Sequence, residues 1–296
     1  MNTICALVQT VLITIAITQS PGWCHAQSSA QDQKPAANRS KDQPQISSTE
    51  HYQLANKAFA SGDVSTGRSH LEQAADAGLA DAQIDLGCRL VAGVDGTPEI
   101  AKAVAWWHKA ADVGADPRAC HNLALYYHRP DASPDEQLKS DRYLRKAAQA
   151  GIPDSECEMG IRAFNRGDYT EARQWNERAA RKGHGQGNYN LAMLLEEGKG
   201  GPCNPCLAIA HYLMAAAAGY DLALTNLGAI YQDGRGVDRN LIEGAKWYLL
   251  GRHVGLAKSA QNLASIRPFM GEGDLAEAQR RANQWWSDHG RAFAGR

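Results

Sequence analysis

The sequence predicts an all-α protein, a solenoid of about six stacked helix-turn-helix repeats, and three observations predict it. The run Ala-Ala-x-x-Gly returns as AADAG (74–78), AADVG (110–114), AAQAG (147–151), AARKG (179–183) and AAAAG (215–219), with a degenerate copy, GRHVG, ending at Gly255. These closing glycines stand 36, 37, 32, 36 and 36 residues apart. Asn-Leu or a close relative keeps step at Asp85-Leu86, Asn122-Leu123, Glu158-Met159, Asn190-Leu191, Asn226-Leu227 and Asn262-Leu263. Eight residues before most closing glycines there is a ring, Trp106, Tyr143, Trp175, His211 and Trp247, and the Trp and Tyr side chains of this column read as core between repeats. A fixed period of this size marks supersecondary units that cannot bury their apolar faces alone and must stack.

The chain precedes its repeats with two other segments. Residues 1–26 hold an uncharged apolar run, Ile4 to Thr18, then Pro21-Gly22 and the small residue Ala26. At 15 residues the run is shorter than the roughly 20 needed to span a bilayer. It reads as a secretory signal peptide cleaved after Ala26, with an uncleaved anchor as the alternative. Export to a periplasmic or extracellular compartment is therefore expected, with no integral membrane span after cleavage. Residues 27–49 carry almost no aliphatic or aromatic side chains and read as a disordered linker.

From residue 50 to 290 each repeat reads as two amphipathic helices. In LALTNLGAIYQDGRGVDRNLIEGAKWYLL (222–250), Ala223, Leu227, Ile230 and Tyr231 follow helical spacing, the glycines of DGRG interrupt it, and Ile242, Ala245, Tyr248 and Leu249 resume it. The Ala-Ala pairs allow close helix approach, and the closing glycines are expected to take the left-handed conformation of a helix C-terminus. The repeat closed by Gly183 is short because FNRGDYTEA shortens the turn. GEGDLAEAQRRANQWW (271–286) reads as a C-terminal capping helix.

Composition excludes some classes of partner. Thirty-one Lys plus Arg against 32 Asp plus Glu give a net charge of -1, so no nucleic-acid channel is implied. GDVSTGRS (62–69) is one letter from a phosphate-binding loop, but Arg68 replaces the lysine and a helical stretch precedes it where that loop needs a strand. No G-x-S-x-G or H-E-x-x-H is present, no cofactor is expected, and no metal set has ligand-like spacing.

Two constellations remain. Cys203-Asn204-Pro205-Cys206 lies in a turn before a helix and reads as a local disulfide, as free thiols, or as a redox or metal dithiol. Cys120 and Cys157 share a column of successive first helices, too far apart to pair without distortion, and read as buried small hydrophobes. The asparagine column, with Asn122, Asn190, Asn226 and Asn262, is joined by Asp85 and Glu158. Four residues onward on the same face lie Arg89, Tyr126 and Arg162. These nine residues are the candidate partner-binding row. The amides can pair with an extended peptide backbone, or hold neighbouring repeats in register.

NLGAIYQDGRGVDRN (226–240), Trp247-Tyr248, WWHKAADVG (106–114) and ALTNLG (223–228) resemble the Sel-one-like repeat family, relatives of the tetratricopeptide repeats. The resemblance covers residues 50 to 290 and implies a right-handed superhelix whose first helices line a concave groove. It implies a non-enzymatic adaptor or regulator that binds a protein or peptide. Disulfide-stapled members of the family, linked to β-lactam binding or hydrolysis, supply the alternative. Those members carry a cysteine pair in each repeat, and this sequence lacks that periodic pairing.

Overall fold

The computed structural model describes residues 46–294, which form 14 α-helices and, among the described residues, no strand. The leader and most of the linker lie outside them. Two compact units divide at Ala147/Ala148. The first holds α1 (Ser48–Ala60), α2 (Val64–Asp76), α3 (Ala80–Ala92), α4 (Ile100–His108), α5 (Pro117–Tyr127) and most of α6 (Pro134–Gln149). The second holds α7 (Pro153–Asn165), α8 (Tyr169–Arg181), α9 (Gly185–Glu197), α10 (Pro205–Ala217), α11 (Leu222–Asp233), α12 (Leu241–His253), α13 (Ala257–Ile266) and α14 (Glu272–His289). In each unit, consecutive helices pair as antiparallel hairpins. Helix α1 starts two residues inside the stretch read as linker, because Ser47 and Glu50 form a capping box there.

Two kinds of turn make five of the hairpins. The short kind joins α1 to α2 through Ser61-Gly62-Asp63 and α7 to α8 through Arg166-Gly167-Asp168. Gly62 and Gly167 take φ of +82° and +81°, and each aspartate caps the next helix, accepting from Thr66 N at 3.0 Å and Glu171 N at 2.9 Å. The phosphate-loop look-alike is thereby accounted for: Gly62 makes a turn, Gly67 lies against the Phe59 ring, and Arg68 pairs with Glu72 and Glu99. The long kind begins at a left-handed glycine (Gly93, Gly198, Gly234) and, in the last two hairpins, ends at an asparagine cap, Asn204 or Asn240.

Gly114 departs from the expected left-handed conformation. Its φ is -82°, and Ala115, at φ 52°, takes the left-handed position. The cause is one extra residue. From helix cap to left-handed residue the chain runs 15 residues in Asp63–Gly78, Asp168–Gly183, Asn204–Gly219 and Asn240–Gly255, but 16 in Glu99–Ala115. The helix absorbs the insertion as a π-turn over Lys109–Val113.

The core column lies one residue away from the one the sequence predicts. Of the rings eight before the closing glycines, Tyr143 and Trp247 are buried, but Trp106, Trp175 and His211 are only half-buried. Seven before the glycines, Leu71, Trp107, Leu144, Asn176, Tyr212 and Tyr248 are all buried to 1% exposure or less. Facing them on the first helices, two residues after the asparagine column, stands a small residue. An added Cβ at Gly87 would meet Trp107 at 2.3 Å, at Gly160 it would meet Asn176 at 2.3 Å, and at Gly228 Tyr248 at 2.3 Å. Ring and glycine interlock, which is the close packing of a protein interior at the scale of one hairpin.

Candidate functional site

The first helices position the predicted row. In the first unit, Asp85 accepts a hydrogen bond from Tyr52, whose hydroxyl is held protonated far into the alkaline range by burial and by that carboxylate. Arg89 is engaged within the fold: it makes two bonds to Asp95 (2.7 and 2.6 Å) and its guanidinium lies 3.5 Å from the Phe59 ring centroid. Asn122 is buried and donates to Cys88 Sγ at 3.6 Å, so it belongs to the repeat interior and leaves the contact row. Tyr126 is half-buried, edge-on to Tyr127 at 5.0 Å.

In the second unit the row is more open. Glu158 and Arg162 pair at 2.9 Å one helical turn apart. Asn190 donates to Cys157 Sγ at 3.5 Å and Asn226 donates to Tyr189 at 3.3 Å, while Asn262 is half-buried on α13. Asn122, Asn190 and Asn226 each spend one bond on the preceding repeat, which holds the hairpins in register. The amides of the half-exposed Asn190 and Asn226 retain further donor and acceptor capacity.

Beside this row is a pocket of about 260 Å³, lined by Gly160, Ile161 and Phe164 of α7, Asn176 of α8, and Gln186, Asn190, Met193 and Leu194 of α9. Of the predicted residues it gathers Asn190 alone. Its origin is a substitution in the core column: Asn176 stands where Tyr212 and Tyr248 stand in the next two hairpins. In those hairpins the ring hydroxyls donate to Glu196 (3.0 Å) and Gln232 (2.8 Å), six residues after the asparagine column. The same position on α7 is Phe164, which has no acceptor to offer.

Cys203 and Cys206 are exposed and unbridged in the structure. Their sulfurs turn to different carbonyls, Cys203 to Glu196 O at 3.1 Å and Cys206 to Gly236 O at 3.6 Å. Cys120 and Cys157 are buried as expected, and burial pushes the Cys157 thiol up to about 12. Among the described residues no group of three or more His, Cys, Asp or Glu is placed to hold a metal ion, and no helix is long and apolar enough to cross a membrane.

One polar cluster escaped the sequence reading. Around the π-turn, His108 bonds Asp112 (3.0 Å), Tyr127 (2.9 Å) and Tyr143 (3.1 Å), and Tyr143 also donates to Asp112 at 3.1 Å. Burial, then the Asp112 carboxylate, pushes the Tyr143 hydroxyl up to about 12. The 37-residue spacing after Gly114 was its signal, since an extra residue within a helix turns side chains toward a new face.

Helix hairpins locked by ring and glycine, with side chains of the first helices forming a polar row, define a repeat scaffold. Five consecutive segments, 80–114, 117–152, 153–184, 185–220 and 221–251, match the profile of the Sel1 repeat. The chain belongs to the Sel1 repeat family, and its fold is the α-solenoid of that family. Two solved structures are similar in fold. A protective antigen of uropathogenic Escherichia coli strains with an SLR fold is 24% identical at a TM-score of 0.76, covering 83% of this chain and 55% of its own. A Sel1 repeat protein from Oxalobacter formigenes is 22% identical at a TM-score of 0.65, covering 79% of this chain and 95% of its own. This chain therefore spans about half the length of the first of them. Among curated proteins there is no match.

Proposed function

We propose that this protein is an exported scaffold that binds a protein or peptide partner along its first helices, as an adaptor or regulator in the cell envelope. The observation that carries the reading is the row on the second unit, where Glu158 with Arg162, Asn190, Asn226 and Asn262 recur one repeat apart. Their half-exposed polar groups match the donors and acceptors of an extended backbone. The apolar run Ile4–Thr18, ending in Pro21-Gly22 and Ala26, supports export.

Crosslinking in intact cells followed by mass spectrometry tests both parts. The partner captured by the wild-type protein is expected to be lost in an Arg162→Ala, Asn190→Ala, Asn226→Ala triple variant that remains folded, as read from its helical circular dichroism. Capture that persists undiminished overturns the row. A mature N-terminus at Gln27 is expected in the exported fraction, and full-length protein confined to the cytosol overturns export. Nitrocefin turnover above a heat-killed control would show catalysis and overturn the reading as a binder alone.

A further inference from the structure

The first hairpin carries a pair of histidines that no spacing rule announces. His51 stands in the first turn of α1 and His70 near the middle of α2, 19 residues apart in the chain. Pairing of the two helices brings the rings together: Nδ1 of one lies 2.9 Å from Nδ1 of the other, the ring centroids are 5.1 Å apart and the planes meet at 40°. Both residues are half-buried. Two like nitrogens at this distance need one proton between them and only one. With hydrogen on both they repel, and with hydrogen on neither two lone pairs face each other. One donor tautomer beside one acceptor satisfies the contact, and so does a cation that takes both lone pairs at once. Neutral imidazole nitrogen is the commonest protein ligand of a metal ion.

The spacing selects the cation. Metal–imidazole bonds of about 2.0–2.1 Å set at a right angle span about 2.9 Å between the nitrogens, whereas a tetrahedral angle asks for about 3.3 Å. The histidine pair therefore has the bite of two neighbouring corners of a square-planar or octahedral shell. Among ions that favour imidazole this is the geometry of Cu(II) and Ni(II), not the tetrahedron of structural zinc. Magnesium and calcium take oxygen ligands instead. The Glu50 carboxylate interacts with the neighbouring His51 ring and adds negative potential, while its own hydrogen bond stays with Ser47 N at 2.7 Å. The remaining corners of the shell fall to water.

We propose that His51 and His70 form a two-histidine site for one divalent ion of the Ni(II) and Cu(II) type, bound through both Nδ1 atoms with water completing its shell, and that the ion clips α1 to α2. Helix α1 is the first of the described helices and packs mainly against α2, with Leu54 exposed on its outer side. A hairpin at the end of a stack has a neighbour on one side alone. A bond between residues 51 and 70 tightens the array where its own packing holds it least.

The test titrates NiCl2 into the whole protein, since Ni(II), unlike Cu(II), does not oxidise thiols and Cys203 and Cys206 are exposed. In NMR spectra of the histidine side chains, the ring signals of His51 and His70 are expected to broaden together and ahead of every other histidine, saturating at one ion per chain with a dissociation constant below about 1 mM. In urea, the folded-to-unfolded ratio is expected to rise about tenfold when free Ni(II) stands at ten times that constant. His51→Gln and His70→Gln are each expected to abolish the rise while remaining folded by circular dichroism. Broadening that begins at another histidine or around Cys203 and Cys206, a rise that survives either substitution, or no broadening at about 10 mM Ni(II) overturns the proposal and leaves the pair as a hydrogen bond between helices. Where a variant does not fold, the order of broadening in the wild-type protein decides alone.

Discussion

The hairpins α7/α8 and α11/α12 share a backbone plan and differ in what they bury. Helix α12 fills its column with Tyr248, beside Trp247, and among the buried polar residues none lies on α11 or α12. The α7/α8 pair buries Ser155, Glu156 and Asn176, and α9 adds Asn188. Glu156, with no exposed surface, is held by Arg178 at 2.9 Å and Lys182 at 2.8 Å. One hairpin is closed by apolar contact, and the other is held by matched charges and left partly open. A repeat array can therefore place recognition chemistry in one unit while its neighbours supply stability, because each unit contacts only those beside it.

Exchanging the column residues would break this comparison most severely. Tyr248→Asn removes a buried ring and its bond to Gln232, and is expected to lower the unfolding free energy by about 3–5 kcal/mol, read from denaturant midpoints. A loss under about 1 kcal/mol would show that the column is not the lock described here. The reverse change, Asn176→Phe, fills the opening and removes the unmatched Oδ1. It is expected to raise stability by about 1–2 kcal/mol, with a higher melting temperature as the readout.

The glycines sharpen the contrast. Alanine at Gly228 would place its Cβ 2.3 Å from the packed Tyr248 ring, and alanine at Gly160 would meet the Asn176 amide at 2.3 Å with open space beside it. Alanine favours both helices by about 1 kcal/mol over glycine. Gly228→Ala is nevertheless expected to destabilise by about 1–3 kcal/mol through overpacking, and Gly160→Ala by less. A reversed order, measured by urea unfolding of the two variants, would mean that the α7/α8 hairpin is the more tightly packed.

Much of this was legible in the residues. The glycine and asparagine periods fix the helix pairs, because changes of spacing are absorbed in a turn, as at FNRGDYTEA, or in the π-turn, and leave the paired faces in place. The ring column of the sequence lies one position off the core, since Trp106-Trp107 and Trp247-Tyr248 put rings in both adjacent columns. The small residue after each Asn-Leu, as in Gly160 and Gly228, decides between the two, because only a glycine or alanine admits a ring above it. Asn176 was invisible as a site. Within RQWNERAARKG it looks like one more polar residue of a solvated helix face, and only its alignment with Leu71, Trp107, Leu144, Tyr212 and Tyr248 shows it inside. The bond partners of Arg89 and Asn122 lie on other elements, and no spacing rule reaches them.

The smallest expected effect follows the polar hairpin into α10, where His211 occupies the column that holds Trp247 in α12. Asn188 Nδ2 donates to His184 O at 3.0 Å, which leaves its Oδ1 to accept from His211 Nδ1 at 2.9 Å; the neutral ring therefore carries its proton on Nδ1. Burial holds the imidazole below its ordinary value, and Glu177 pulls the other way more weakly. With the folded value depressed, the unfolded chain binds more protons as pH falls through the histidine value of about 6.5, and stability falls with it. The contribution is expected to stay below about 1 kcal/mol, since the ring is only half-buried. His211→Gln keeps a donor toward Asn188 but does not titrate, so the loss in urea midpoint between pH 7.5 and 5.5 should be smaller in the variant than in the wild type. Equal losses would place the acid sensitivity elsewhere, and the contrast between the polar and apolar hairpins would then rest on packing alone.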